Sequence, residues 1–430
     1  MRRVISIVMV LFCAFGWFTL VNGEVQAQKE YDNTLQKAYE YAEKGLPYVS
    51  AQYFTKALTE NREQSIYKAY LVQLHDLNSN DIYYKTLDIY LNSYPQDVDA
   101  YAALLKRYDE QGNVKGYLDL YSRAENAGVA TEEMKTRYKE LYYKVVILLG
   151  GLQDARSFVG DYAAAKREEH WGLIGQRGQT VVDFRFDAIN VILGNIYPVS
   201  LDGEAYFLGT NGEKMITTSR PVEWLSLISD GCCVARQGDK YALCDTAINV
   251  PENFDYDYLS TSSNGVLAAK KGEKWALMSN TGDMISDYIY EDILIDPDQG
   301  SCIRNGVIFA KQNGKYIMLD ALGQRIGTET FDEAKMFAGS QPAAIRIGDK
   351  WGFVNSDGTL NGGVKYDEIE SFSLGLYAAE ENGKWGYKEP SGEFVIEPQY
   401  DECRPFTENG VARVRIADTW QYITVKGFQN

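Results

Sequence analysis

A helical-repeat region followed by an all-β array of eight copies is the fold class this sequence predicts, and three observations predict it. Between Tyr31 and about Leu149, apolar residues recur at intervals of three and four, and the turn formers that interrupt them repeat every 33 or 34 residues. From Trp171 to Trp420, eight aromatic residues stand about 35 positions apart with little drift. Ahead of both lies one uncharged apolar run, Val4 to Val21. The expected organisation is residues 1–27 as a signal peptide or membrane anchor, 28–150 as the helical region and 151–430 as the β domain.

The leading segment has the build of an export signal: Arg2 and Arg3 precede the apolar run, and polar Asn22, Gly23 and Glu24 follow it. Two outcomes fit. Val25 and Ala27 supply small residues for cleavage after Ala27, while 18 apolar residues are just long enough to span a bilayer with the arginines inside. Either places the rest of the chain outside the cytoplasm, secreted or anchored by residues 4–21. Cys13 follows bulky Leu11 and Phe12, which argues against a lipidated cysteine.

The net charge of -17 excludes a general binder of nucleic acid or anionic membrane, because both need a concentrated cationic footprint. Solubility by self-repulsion is the expected role of this charge, with attraction to cations or basic partners as the alternative. Five cysteines lie outside the leading segment, an odd number that cannot pair fully within one chain. Cys232 and Cys233 are adjacent on a predicted strand and point to opposite faces, so they do not pair with each other. No C-x-x-C occurs, and with only His75 and His170 present no histidine-cysteine zinc site can be assembled. Cys232 aligns with Val411 and Cys403 with Ala334 in the repeats below, the positions of small core residues.

The helical period implies about seven helices. Gly45, Ser79 and Gly112 are 34 and 33 residues apart, and the stops at Asn61, Tyr94 and Ala127 are 33 and 33 apart. These positions resemble tetratricopeptide repeats, which have a glycine in the first helix and an alanine twelve positions on. Gly45 with Ala57 and Gly112 with Ala124 match, whereas the middle copy has Ser79 and Leu91 and the usual tryptophan is missing. The resemblance implies stacked helix pairs whose concave face takes a peptide segment. At helical spacing, the tyrosines of this region (Tyr53, Tyr67, Tyr70, Tyr83, Tyr84, Tyr90, Tyr101, Tyr108, Tyr117 and Tyr121) are expected mostly in the inter-helix core. His75 is expected as a surface or capping residue.

The β array is led by Trp171, Tyr206, Tyr241, Trp275, Tyr316, Trp351, Trp385 and Trp420, with spacings of 35, 35, 34, 41, 35, 34 and 35. Fifteen residues after each of the first seven comes Phe186, Pro221, Tyr256, Tyr290, Phe331, Tyr366 or Tyr400, usually followed by an acid. Each copy reads as two hairpins, with Asn211-Gly212, Thr281-Gly282 or Asp357-Gly358 at the tight turn where glycine permits positive φ. His170-Trp171-Gly172, Lys350-Trp351-Gly352 and Lys384-Trp385-Gly386, with Tyr366-Asp367-Glu368 and Tyr400-Asp401-Glu402, resemble the WG-repeat (KWG repeat) family. That resemblance implies a β-repeat interaction module of bacterial type with no common catalytic activity. On the residues alone, the ring buries area between sheets, the glycine allows close backbone approach, and the Asp and Glu bond to turn amides. Gln153 to Glu169 resembles the second half of a copy and Trp420 to Gln429 a first half. Two complementary halves predict a closed β-propeller-like ring whose ends share a blade, with an open β-solenoid as the alternative.

Sharper chemistry is sparse. Asp296-Pro297-Asp298-Gln299-Gly300, in the 41-residue copy, opens like a calcium loop, but no acid follows at the distance of a closing ligand, so a polar turn is expected. No nucleophile elbow, P-loop or dinucleotide fingerprint occurs. The expectation is therefore a non-catalytic exported scaffold for a protein partner, with no catalytic, cofactor or metal residues. A wall-glycan-binding module stacking sugars on exposed aromatic rings is the second reading, and a carboxylate-only glycosidase the third.

Overall fold

The computed structural model describes residues 2–189, 196–209, 212–216, 218–245 and 247–429, with side chains from Gly23 onward. The expected signal or anchor at 4–21 lies outside the residues whose side chains are described. Among the described residues, no helix is long and apolar enough to cross a membrane. The chain divides into two compact units, Met1–Leu141 and Tyr142–Asn430.

The first unit holds α1 (Arg2–Glu43), α2 (Pro47–Glu60), α3 (Gln64–Asp76), α4 (Asn80–Ser93), α5 (Val98–Glu110), α6 (Val114–Asn126) and α7 (Glu132–Tyr142). The stops read from sequence are the C-caps of α2, α4 and α6: Asn61, Tyr94 and Ala127. The repeating glycines, however, are not inside helices. Gly45 and Gly112 lie in the turns after α1 and α5 with φ of 66° and 63°, and in the middle copy the left-handed residue is Asn78 (φ 50°), one position before Ser79. Asparagine tolerates that region where most residues do not, which is why the middle turn survives without glycine. Ala57, Leu91 and Ala124 are buried, and six of the ten tyrosines are buried with the other four half-buried. His75 is exposed beside Asp76.

The helical pattern expected to reach Leu149 ends at Tyr142, and Val145–Leu152 is a strand. A short apolar run such as Val145-Val146-Ile147-Leu148-Leu149 fits either state by periodicity, and pairing decides it. The second unit is a ring of eight small antiparallel sheets, blades 1 to 8, spanning 154–186, 188–216, 224–244, 258–279, 292–331, 333–366, 377–400 and 402–425. A hydrophobic cluster fills every junction between neighbouring blades, including that between blades 8 and 1, where Val411 and Tyr422 pack with Leu152, Ala155 and Phe158.

The ends share a blade as expected, but the closing strand comes from a different segment. Asp154–Ala155 and Tyr162–Arg167, from the supposed half-copy, join the Trp171 hairpin in blade 1. The missing strand of blade 8 is Val145–Leu152, which pairs antiparallel with Thr419–Val425 (Val145 opposite Val425, Ile147 opposite Ile423). Joining the first strand to the last excludes the open solenoid.

The two aromatic ladders are the two sides of one hairpin. Trp171 stands opposite Phe186, Tyr316 opposite Phe331, Trp351 opposite Tyr366 and Trp385 opposite Tyr400. The glycine after the tryptophan is required by crowding. A Cβ on Gly386 would lie 2.4 Å from the Ile396 carbonyl oxygen, and one on Gly172 2.7 Å from that of Val182. The repeated aspartate joins blades. Asp257, Asp332 and Asp401 accept from the amides of Gly272, Gly348 and Ala417 in the turns of their own blades, and from Lys240, Lys315 and Lys384 of the preceding ones. Of the glutamates, Glu291 accepts from the turn amide of Gly314 at 3.0 Å as expected, whereas Glu333 pairs with Arg346, and Glu402 with Arg415 at 3.1 Å, across the adjoining strand. All five described cysteines outside the leading segment are buried free thiols, with Cys233 directly opposite Cys244. Burial pushes the Cys302 thiol up to about 12, which keeps it protonated and poorly nucleophilic.

Candidate functional site: the centre of the ring

The loop that lengthens the fourth, Trp275-led copy lies in blade 5 and crosses the ring. Blades 1 and 5 are opposite each other in a ring of eight, yet the Ser157 amide of blade 1 donates to Asp298 Oδ1 of blade 5 at 3.0 Å. Arg156 donates to the Pro297 carbonyl at 3.2 Å, and Arg413 of blade 8 pairs with Asp298 at 3.0 Å. The expected polar turn is thus also a tie between opposite walls. Its base is fixed by Asp296, whose Oδ1 accepts from the amides of Asp298 (2.8 Å) and Gln299 (3.0 Å) and whose Oδ2 faces Arg304 at 3.3 Å. Burial holds the Asp296 carboxyl above the usual carboxylate range, opposed by Arg304. Both aspartates are therefore engaged by protein donors. Among the described residues, no group of three or more His, Cys, Asp or Glu is arranged to hold a metal ion.

A cavity of about 760 Å³ opens beside this tie, lined by segments of blades 1, 5, 6 and 8 and by Glu370 at blade 7. Three of its charged residues, Lys335, Glu370 and Arg404, share one register position, the residue that follows the short first strand or bridge of a blade. Around the ring this position is Ser226, Ser260, Leu294, Lys335, Glu370, Arg404 and Arg156. Across blades 6 to 8 neighbours of opposite sign meet: Lys335 bonds Glu370 at 3.1 Å and Glu368 at 2.7 Å, and Arg404 reaches Glu370 at 3.3 Å. Where it is serine, the hydroxyl accepts from a backbone amide of its own blade, that of Val234 or Ala268, at 2.8 Å. Sequence reasoning missed this set because it treated the copies as equivalent. The signal was present as a column about nineteen residues after each leading aromatic, in which charge replaces hydroxyl.

The ring faces of the leading aromatics are also covered. Lys335 Nζ lies 4.6 Å from the Trp351 centroid and 5.5 Å from that of Trp385, Lys270 5.4 Å from Trp275, Arg156 5.5 Å from Trp171 and Arg413 5.3 Å from Trp420. Trp275 and Trp351 are buried and Trp171, Trp385 and Trp420 half-buried, so none is an exposed platform.

The family model described as "WG containing repeat" matches residues 171–204, 351–385 and 385–420, the copies that retain the tryptophan-glycine pair. No curated protein matches the chain. Solved structures similar to it include a eukaryotic initiation factor (12% identity, 63% of this chain and 83% of that one, TM-score 0.39). Others are dihydro-heme d1 dehydrogenase NirN in complex with DHE (11%, 62% and 68%, 0.38) and Kluyveromyces lactis Hsv2 (10%, 66% and 99%, 0.35).

Proposed function

We propose that the chain is a non-catalytic, exported or surface-anchored scaffold that holds a protein partner, its β ring built throughout from WG repeats and its helical hairpins of the tetratricopeptide kind. The observation that carries this reading is that the carboxylates of Asp296, Asp298 and Glu370 at the ring centre are engaged by cations and backbone amides, partly across blades, as a rigid frame requires. A reaction centre instead leaves an acid or base open to substrate. The apolar run at 4–21 supports an extracytoplasmic location.

A second reading has one observation in its favour. Asp296 and Glu370 line one cavity and are not repeat-equivalent, as a carboxylate-only glycosidase needs. Sugar stacking by a glycan-binding module has less support, because cations already occupy the tryptophan faces.

The test is an affinity capture from native envelope using the full chain. A single protein enriched stoichiometrically supports the scaffold. Turnover of wall polysaccharide, lost in Asp296→Asn, replaces it with the glycosidase. Retention on isolated wall without a protein partner replaces it with the glycan-binding module.

A further inference from the structure

The cavity at the ring centre carries an imbalance between donors and acceptors. Its inner carboxylates are occupied: Asp296 by two amides and Arg304, Asp298 by Ser157 and Arg413, Glu370 by Lys335 and Arg404. Arg304 is the exception among the cations. Its Nε reaches the Phe337 carbonyl at 3.5 Å, but among the described residues its two terminal nitrogens make no hydrogen bond. Nor are they among the sealed polar atoms of the interior, so they keep access to solvent, and Arg304 is one of the residues that line the cavity. Half-buried Leu294, Ile295 and Met336 line the same cavity.

We propose that this cavity receives the carboxylate of an acidic segment of the partner protein, with Arg304 as its receptor and the apolar wall taking a neighbouring aliphatic side chain. The proposal rests on the scaffold reading for the source of the carboxylate. A planar guanidinium end with two open N–H donors matches the two oxygens of a carboxylate in parallel. The lining acids Asp161, Asp296, Asp298, Glu370 and Glu408 repel a dianion more than a monoanion, which favours a single carboxylate over phosphate. The cavity volume lies in the range that encloses several side chains, beyond what one small anion fills.

The test titrates the full chain with a blocked pentapeptide in which leucines flank one central glutamate, with its glutamine counterpart, and with inorganic phosphate. The glutamate peptide is expected to bind about ten-fold more tightly than the glutamine peptide, with affinity falling as salt is raised. Arg304→Lys, which keeps the charge beside Asp296 and loses the planar fork, is expected to remove that preference without a change in melting temperature. In the wild type, amide exchange is expected to slow around residues 303–305 on binding, a readout independent of any variant. Equal affinity for both peptides, or phosphate binding as tightly as the glutamate peptide, overturns the proposal. Capture of a partner unaffected by Arg304→Lys overturns it while leaving the scaffold reading in place; failure of the capture together with a glutamate preference does the reverse.

Discussion

The helical unit and the β ring both repeat, with periods near 34 and 35 residues, yet they reach stability by different routes. In the helical unit each hairpin leans on its neighbour in sequence. Tyr90 Oη donates to Asp97 at 2.5 Å and accepts from Gln64 at 2.8 Å, which ties the end of α4 to the start of α5 and to α3. In the ring the last repeat must meet the first, and contacts such as Tyr422 Oη to the Arg156 carbonyl (2.6 Å) link residues 266 positions apart. The difference teaches that local repetition is enough to build a stack, whereas a ring also needs long-range ties. Such ties carry the loop-closure entropy of the whole ring and act as a unit.

That contrast can be broken most strongly at Arg413. Buried between blades 8 and 1, it holds Asp298 and the Ala155 carbonyl. Arg413→Ala takes the counter-ion from Asp298 and the donor from the Ala155 carbonyl and is expected to destabilise the ring by about 3–5 kcal/mol. Six of the seven tryptophans lie in the ring, so tryptophan fluorescence should register the loss. Helical ellipticity at 222 nm should retain a later transition from the helical unit; coincident loss of both signals would show that the two units unfold together.

A smaller effect is expected within a blade. Gly386→Ala forces a Cβ against the Ile396 carbonyl and should cost about 1–3 kcal/mol, whereas Gly363→Ala, with no atom within 4 Å, should leave the fluorescence transition in urea nearly unmoved. On the helical side, Tyr90→Phe removes a hydrogen bond to a carboxylate and should cost about 1.5–3 kcal/mol, visible at 222 nm and silent in fluorescence.

The smallest effect expected is that of pH on the interblade clasps. Asp257, Asp332 and Asp401 have carboxyls held below the ordinary range, first by their lysines and then by turn amides. Lowered folded values mean that the unfolded chain binds protons first. The stabilisation is therefore fully present above about pH 4 and is lost as pH falls through the folded values. The triple variant to asparagine should melt lower than wild type at pH 7 and converge with it in acid. A constant gap across that range would show that the clasps act through shape and not charge.

By itself the sequence made legible the two repeats, the eight copies, the hairpin turns and the fifteen-residue aromatic spacing, because each is written in spacings of a few to about 40 residues. Its errors at Gly45, Ser79, Glu333 and Glu402 were likewise local: a one-residue offset or a choice of bonding partner that propensity does not fix. Only the tertiary structure decided that Val145–Leu152 is a strand, that it closes blade 8, that the Asp296–Gly300 loop ties blade 5 to blades 1 and 8, and that Arg304 is left with open donors. Those contacts join residues more than a hundred positions apart, and no local preference records which distant surface a short apolar run or a polar loop will meet once the ring has closed.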